Sequence, residues 1–382
     1  CAPGSEAFQR QGTERLAAEL KLQILADGGH VSRNPQQLID LLLDLLPLRQ
    51  AYAARGIQIP ASVLNAIDRM MPMLRLFRHG DGTMALFNGM GLTAPELVAT
   101  ILAYDDARAQ PLTNATYSGY QRMEAGRSVV IIDAGAIPPQ AFSTQAHAGC
   151  LSFEFSNGFQ RLVVNCGAPE VSRANAREAA RATAAHSTLV VDDTSSCRFA
   201  AHAGLQKWLN DEILSGPRTV AVDRQQSGGF TTVKTSHDGY ASRFGLTHAR
   251  ELSLADDGAS LEGRDALEDA GKTKPGVAPY ALRFHLHPRV RAQVVGDDTA
   301  VLLDLPDGDR WLFQADAPLV LEPSVVFATS GGPRPTLQIR ITGDSATRGA
   351  VHWAFRRRPA AATRPLPDAP IVGTEETEQS AV

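Results

Sequence analysis

The apolar positions change period once along the chain, near residue 110, and that change divides it in two. Between residues 6 and 26, Leu16, Leu20 and Ile24 recur every four positions, the spacing that keeps one helix face buried. Asp27-Gly28-Gly29 stops this helix. Asn34-Pro35 then offers an N-cap with proline at the first helical position, which predicts a helix over 36–55 with a kink at Pro47. Gly56 ends it, Pro60-Ala61-Ser62 opens a third helix to about Arg78, and residues 94–106 read as a fourth. These helices have broad apolar faces and short turns. They must stack on further helices, and too few are present to close a ring.

After Pro111 the period is two. Residues 127–133, 151–156, 161–165, 187–192, 231–235, 251–254, 282–287, 300–305, 310–314 and 336–341 read as strands. Turns such as Ser156-Asn157-Gly158, Asp257-Gly258 and Asp307-Gly308 bound them. Ten or more strands without intervening helices imply a large antiparallel sandwich and not a parallel sheet. The expected class is therefore α+β multidomain: helices over 1–110, a sandwich over 111–358, and a disordered tail over 359–382, rich in Pro, Ala, Thr and Glu.

Composition narrows the function classes. The 382 residues are 43% hydrophobic and 20% charged, ordinary for a globular chain. A net charge of −4 argues against a nucleic-acid binder, while leaving room for a local basic cleft. Five lysines leave 32 of the 37 basic residues as arginine, which reads first as a genomic bias and second as a supply of bidentate carboxylate or sulfate contacts. Cys1, Cys150, Cys166 and Cys197 have neither disulfide-framework nor metal-site spacing. The densest apolar run, Leu38 to Leu48, is broken by Asp40, Asp44 and Pro47, so no membrane span is expected. No leader segment is recognisable before the first helix, and the chain reads as cut at its start.

Candidate chemistry centres on histidines at strand ends. His147 precedes one strand, and His186, five residues after Arg181, precedes another. His237, Tyr240, Arg243, His248 and Arg250 cluster across a turn and a strand, and His285 and His287 alternate along one strand. Each also reads as an ordinary core histidine. Arg78-His79 before Gly80 reads either as a site or as a cationic helix C-terminus.

The blocks DGGHVSRNP, LSFEFSNGFQRLVVNCG, AAHSTLVVDD, DGYASRFGLTHARELSL, RFHLHP and WLFQADAPLVLEPSV, in that order, resemble the heparinase II/III-type polysaccharide lyases over nearly the whole chain. The resemblance implies a partial (α/α) toroid followed by a β-sandwich. It also implies β-elimination on an anionic, uronic-acid polysaccharide, with the substrate cleft between the two parts. On this resemblance, His30, Tyr240, His248 and His147 are the catalytic candidates, and Arg33, Asn34, Arg78, His79 and Arg181 the substrate-binding ones. The reaction needs no cofactor. A structural zinc or other divalent cation would fall to His147, Asn165 and His186.

The departures from the family pattern fall on its site. The helical motif keeps Asp27, Gly28, Gly29 and His30, but holds Ser32 for glutamate, Asn34 for serine and Gln37 for tyrosine. In the sandwich, Gln145 and Gly149 stand for the first histidine and the aspartate of H-x-H-x-D, and Asn165 stands for the aspartate that would bind metal. Two accounts stay open: a divergent lyase with His30, Tyr52, Tyr240 or His248 as the substitute proton-transfer group, or a degenerate member that binds or buttresses without cleaving. Family resemblance suggests the cell envelope or periplasm, with the cytoplasm as the alternative.

Overall fold

The computed structural model describes residues 6–105, 110–170, 174–200, 211–271 and 276–358. The tail expected to be disordered, 359–382, lies outside the described residues. Four helices come first: α1 (Glu6–Gln23), α2 (Pro35–Ala54), α3 (Ala61–Leu76) and α4 (Pro95–Ala103). Asn34 caps α2, its Oδ1 accepting from the Gln36 backbone N–H at 2.9 Å, and Pro35 follows where no N–H is needed. α2 runs on through Pro47. α3 buries Val63, Ala66, Ile67, Met70, Met73 and Leu74, a spacing of three and four. In the turn before α2, Gly28 has φ 84°, and a Cβ there would fall 2.0 Å from the Arg69 carbonyl oxygen. Only glycine fits.

The strand-rich part opens with β1 (Asn114–Ala115), β2 (Tyr120–Ala125), β3 (Ser128–Asp133), β4 (Phe153–Asn157) and β5 (Gln160–Val164). Helix α5 (Ala174–Arg181), β6 (Leu189–Val191), β7 (Arg198–Phe199) and β8 (Ile213–Ser215) follow. Next come β9 (Val220–Ser227), β10 (Phe230–His237), β11 (Leu246–Ala255) and β12 (Ser260–Asp269). The last are β13 (Pro279–Leu286), β14 (Arg291–Val295), β15 (Ala300–Asp304), β16 (Arg310–Ala315), β17 (Leu319–Val326), β18 (Arg334–Asp344) and β19 (Ala350–Arg358).

Two large sheets result. One has nine strands in the order β1-β2-β3-β4-β5-β13-β18-β17, with β6 also on β13. The other has eight, in the order β14-β15-β16-β19-β12-β11-β10-β9. The expected class, a partial toroid followed by an antiparallel sandwich, is the one observed. Helix α5 is a correction, since no helix was expected among the strands.

Around β3, β4 and β5 the nine-stranded sheet is covered on both faces. Every residue of β3 is buried, and its side chains alternate between two cores. Val130 and Ile132 join the sandwich interior with Phe153, Phe284 and Trp353. Val129 and Ile131 join the helical core with Leu42, Met70 and Phe77.

Polar side chains in that sheet must therefore be paired within the protein. Glu154, fully buried on β4, accepts from the Leu86 N–H at 3.1 Å, the Asn165 N–H at 2.9 Å, His79 Nε2 at 3.0 Å and the Arg161 guanidinium. Burial alone would raise its carboxyl, but Arg161 and the hydrogen bond from His79 hold it down to about 2. It binds the segment after α3 to the sheet.

Replacing Glu154 with glutamine removes the charge that Arg161 requires and one acceptor. A loss of about 3 kcal/mol or more is expected in denaturant unfolding, because one partner of a buried pair is left uncompensated. A change below about 1 kcal/mol would show that water or a neighbour replaces the carboxylate.

Candidate functional site

A cleft of about 550 Å³ opens where the α1–α2 turn meets the start of both sheets. Its walls come from the turn (Leu25, Val31), the β1–β2 connection (Tyr117, Ser118), residues 134–139 and β9 (Arg218 lies just before it, Arg224 within it). The walls are pinned from behind. Asp27 Oδ2 accepts from the Tyr117 N–H at 2.8 Å and the Ser118 N–H at 2.7 Å. Arg33, held at φ 63°, donates to the carbonyls of Ser118, Gly119, Gly135 and Ala136 and pairs with Asp133 at 2.5 Å.

What faces the cleft is cationic and aromatic. Tyr117 is 70% exposed. Arg224 is partly buried, and its hydrogen-bond partners among the described residues are neutral: the Thr113 carbonyl at 3.3 Å and Gln121 Oε1 at 3.5 Å. Burial lowers its affinity for its own proton, so an anion beside it would be favourable. Among the described residues, no carboxylate pairs with Arg224 or with the exposed Arg218. Sequence reasoning missed all three. β9 is polar on both faces and gave no period, and only the non-local packing of β9 beside β1 and β2 brings them together.

The residues expected to carry chemistry are elsewhere engaged. His30 is buried, with Nδ1 2.7 Å from Ser32 Oγ and Nε2 3.1 Å from Gln23 Oε1, and burial takes it down to about 4. Arg33 spends its guanidinium on the cleft wall and offers none to a uronate. Asn34 is the N-cap of α2, and its Nδ2 donates to Gln145 Oε1 at 2.9 Å. Arg78 is the exception: it gives Arg122 only its backbone carbonyl, at 2.8 Å, and its Nε is buried without a hydrogen-bond partner among the described residues, whereas His79 bonds the buried Glu154. Arg181 is buried and donates to the carbonyls of Ala146, Ser143 and Asp211, with Phe199 4.4 Å beneath it.

Tyr240 and His248 correct the expectation most. Tyr240 is 1% exposed, and its hydroxyl donates to the Leu189 carbonyl at 3.0 Å. His248 is fully buried, with Nε2 2.7 Å from Asp265, which also accepts from Arg250 and Trp353. Both belong to the sandwich interior and do not meet His30 across a cleft. Tyr52 bonds Thr13 at 3.0 Å on the helical surface. His285 is buried, bonding Ser324 Oγ at 2.7 Å and the Ala184 carbonyl at 3.0 Å, and His287 falls just beyond β13.

The structure does join His147 and His186. Their Nδ1 and Nε2 atoms lie 3.1 Å apart, both rings are buried, and burial takes His186 down to about 4. Asn165 is not a third ligand. Its Oδ1 accepts from the Ser187 N–H at 3.0 Å, and its other terminal group is an uncharged NH₂ donor, buried without a partner among the described residues. No group of three or more His, Cys, Asp or Glu side chains among the described residues is arranged to hold a metal. The zinc that the resemblance implied does not fit.

The C-terminal region of the heparinase II/III-like family matches residues 107–355. FtsZ-localized protein C of Caulobacter vibrioides is 37% identical over 313 residues, covering 79% of this chain and 53% of that protein. The chain thus spans about half the length of the curated relative it matches. Among solved structures, a heparinase III gene product superposes with a TM-score of 0.73 at 15% identity, covering 94% of this chain and 57% of the other. The heparan sulfate lyase HepC of Pedobacter heparinus gives 0.70 at 14%, covering 93% and 56%. At such identity these structures speak for the fold alone. No helix among the described residues is long and apolar enough to cross a membrane.

The buried neutral histidines make the fold acid-sensitive. His30, His186, His285 and His287 have folded values of about 4, 4, 3 and 3, below the ordinary 6.5. Stability is therefore complete above 6.5 and falls as pH drops from there towards 4, because the unfolded chain binds more protons. Each such histidine contributes a slope of roughly 1.4 kcal/mol per pH unit. Denaturation midpoints across this range would check it, and a flat profile would show that the imidazoles reach solvent.

Proposed function

The chain belongs to the heparinase II/III-like family, and from that premise we propose that it binds an anionic polysaccharide in the cleft between helices and sandwich without cleaving it. One observation carries the reading: Arg218 and Arg224 border that cleft, and among the described residues neither guanidinium has a carboxylate at ion-pair distance. Planar guanidinium groups suit the carboxylates or sulfates of an acidic sugar chain. The cleft volume of about 550 Å³ is that of an ordinary small-ligand site.

Binding without cleavage follows from the substituted positions. Elimination needs a group to take the C5 proton and a donor to stabilise the uronate as charge develops on it. Gln37, Gln145 and Gly149 stand where the family pattern has its tyrosine, histidine and aspartate, and an amide or a hydrogen cannot move that proton. The second reading is a divergent lyase. Its support is Tyr117, an exposed phenol on the same cleft.

The name of the Caulobacter vibrioides relative, FtsZ-localized protein C, adds a localisation to the proposal, with FtsZ, against the envelope or periplasm suggested by the family resemblance. A fluorescent fusion of the full-length protein would decide between them.

Calorimetric titration with heparin, heparan sulfate, hyaluronan and alginate tests the binding. Arg218→Ala and Arg224→Ala should each weaken it about 10-fold, near 1.4 kcal/mol, with affinity falling as salt rises. Arg289→Ala, outside the cleft, should leave it unchanged. No ultraviolet absorbance from an unsaturated uronate should develop. Its appearance, and its loss in Tyr117→Phe, would establish the lyase reading instead.

A further inference from the structure

We infer that His147 and His186 form a metal-free pair closed by a direct hydrogen bond, and that Asn165 is what keeps a divalent cation out. This rests on family membership and stands apart from glycan binding in the cleft.

The protons can be placed from the partners. His186 Nδ1 lies 2.8 Å from the Ala182 carbonyl, which can only accept, so Nδ1 carries the proton. In a neutral ring Nε2 is then a bare acceptor. His147 Nδ1, 3.1 Å away, must be the donor. Burial disfavours a charge on the His147 ring, and the Arg181 and Arg177 guanidinium groups disfavour it further. The result is a directed chain, from His147 through His186 to the Ala182 carbonyl.

His186 alone would be a good ligand, since a ring N–H anchored on a carbonyl orients the other nitrogen for a metal. The 3.1 Å spacing suits a hydrogen bond, and two nitrogens on one tetrahedral zinc lie only slightly farther apart, roughly 3.3 Å at ordinary Zn–N lengths. The third position decides. Asn165 commits its oxygen to the Ser187 N–H, carries no charge, and has a donor NH₂ where a carboxylate would have its second oxygen. The nearest carboxylates that influence His186 are Asp133 and Glu154. Asp133 is held by Arg33 and Asn88, and Glu154 by Arg161 and His79. The charged groups acting on His147, Arg181 and Arg177, are cations.

Gly149 completes the arrangement. A Cβ there would lie 2.7 Å from His186 Cδ2. Restoring the aspartate of the family pattern at this position would therefore displace the ring from its partner.

The test uses the whole chain, zinc alone as the probe, and metal content with thermal unfolding as readouts. Wild type should purify far below one zinc per chain, with a melting temperature indifferent to zinc or chelator. Asn165→Asp should gain zinc affinity by more than the roughly 10–100-fold that an outer ligand-orienting partner is worth. It should melt lower with chelator and lose the gain when His186→Ala is added. Stoichiometric zinc in the wild type, abolished by His186→Ala, would overturn the inference. So would an Asn165→Asp chain that folds yet takes zinc no better than wild type. Should that variant not fold, nitrogen NMR of the wild-type histidines decides. A protonated His147 Nδ1 unmoved by excess zinc upholds the pair, and its loss on adding zinc refutes it.

Discussion

A sheet with protein on both faces leaves no water for its polar side chains, and Glu154 is where this chain meets that constraint. Its two oxygens take two backbone N–H groups, an imidazole and a guanidinium drawn from two segments, the one after α3 and residues 161–165. An ionised carboxylate in such a place is tolerated only when every lone pair is used. The same requirement fixes the neighbours: His79 must carry its proton on Nε2, and its Nδ1 must accept from Ser156 Oγ at 2.8 Å. Asp133 repeats the pattern nearer the cleft, binding Arg33 through one oxygen and Asn88 through the other. Helices and sandwich are therefore joined by buried charge as well as by apolar packing.

This explains how the arginine bias is used. Arg33, Arg122, Arg181 and Arg250 direct their guanidinium groups at backbone carbonyls left open where loops meet sheets. A lysine would satisfy fewer of these with a single ammonium. The bias identified arginine as available for carboxylates. It could not distinguish the arginines that build the frame from Arg218 and Arg224, which do not, because that difference lies in burial.

What was legible in the sequence follows the same line. Strands such as β4 and β11, which place alternate residues in an apolar interior, announced themselves by period. β11 alternates buried and half-buried residues along its whole length. β9 did not, being mostly exposed at the sheet edge, and β12 and β19 carry charges that mask their pairing. Family order supplied the architecture. The site was harder to read, because a histidine near a strand end looks the same whether it faces solvent, as catalysis requires, or Asp265, as His248 does.

The substitutions at the site are mutually consistent, which argues for an altered design over random decay. Gln145 takes the hydrogen bond from the N-cap Asn34, joining the two motif positions that have both changed. Gly149 makes room for His186, and Asn165 keeps the Ser187 contact while giving up the charge that a cation would need. Each change removes a group that would bind a metal or move a proton, yet each keeps a hydrogen bond or a close contact on which the fold relies. A chain losing function without constraint would leave unpaired groups at most of these positions. Here the Asn165 Nδ2 is the orphan among them. The pattern is that of a fold whose motif positions changed while its hydrogen bonds and close contacts were kept.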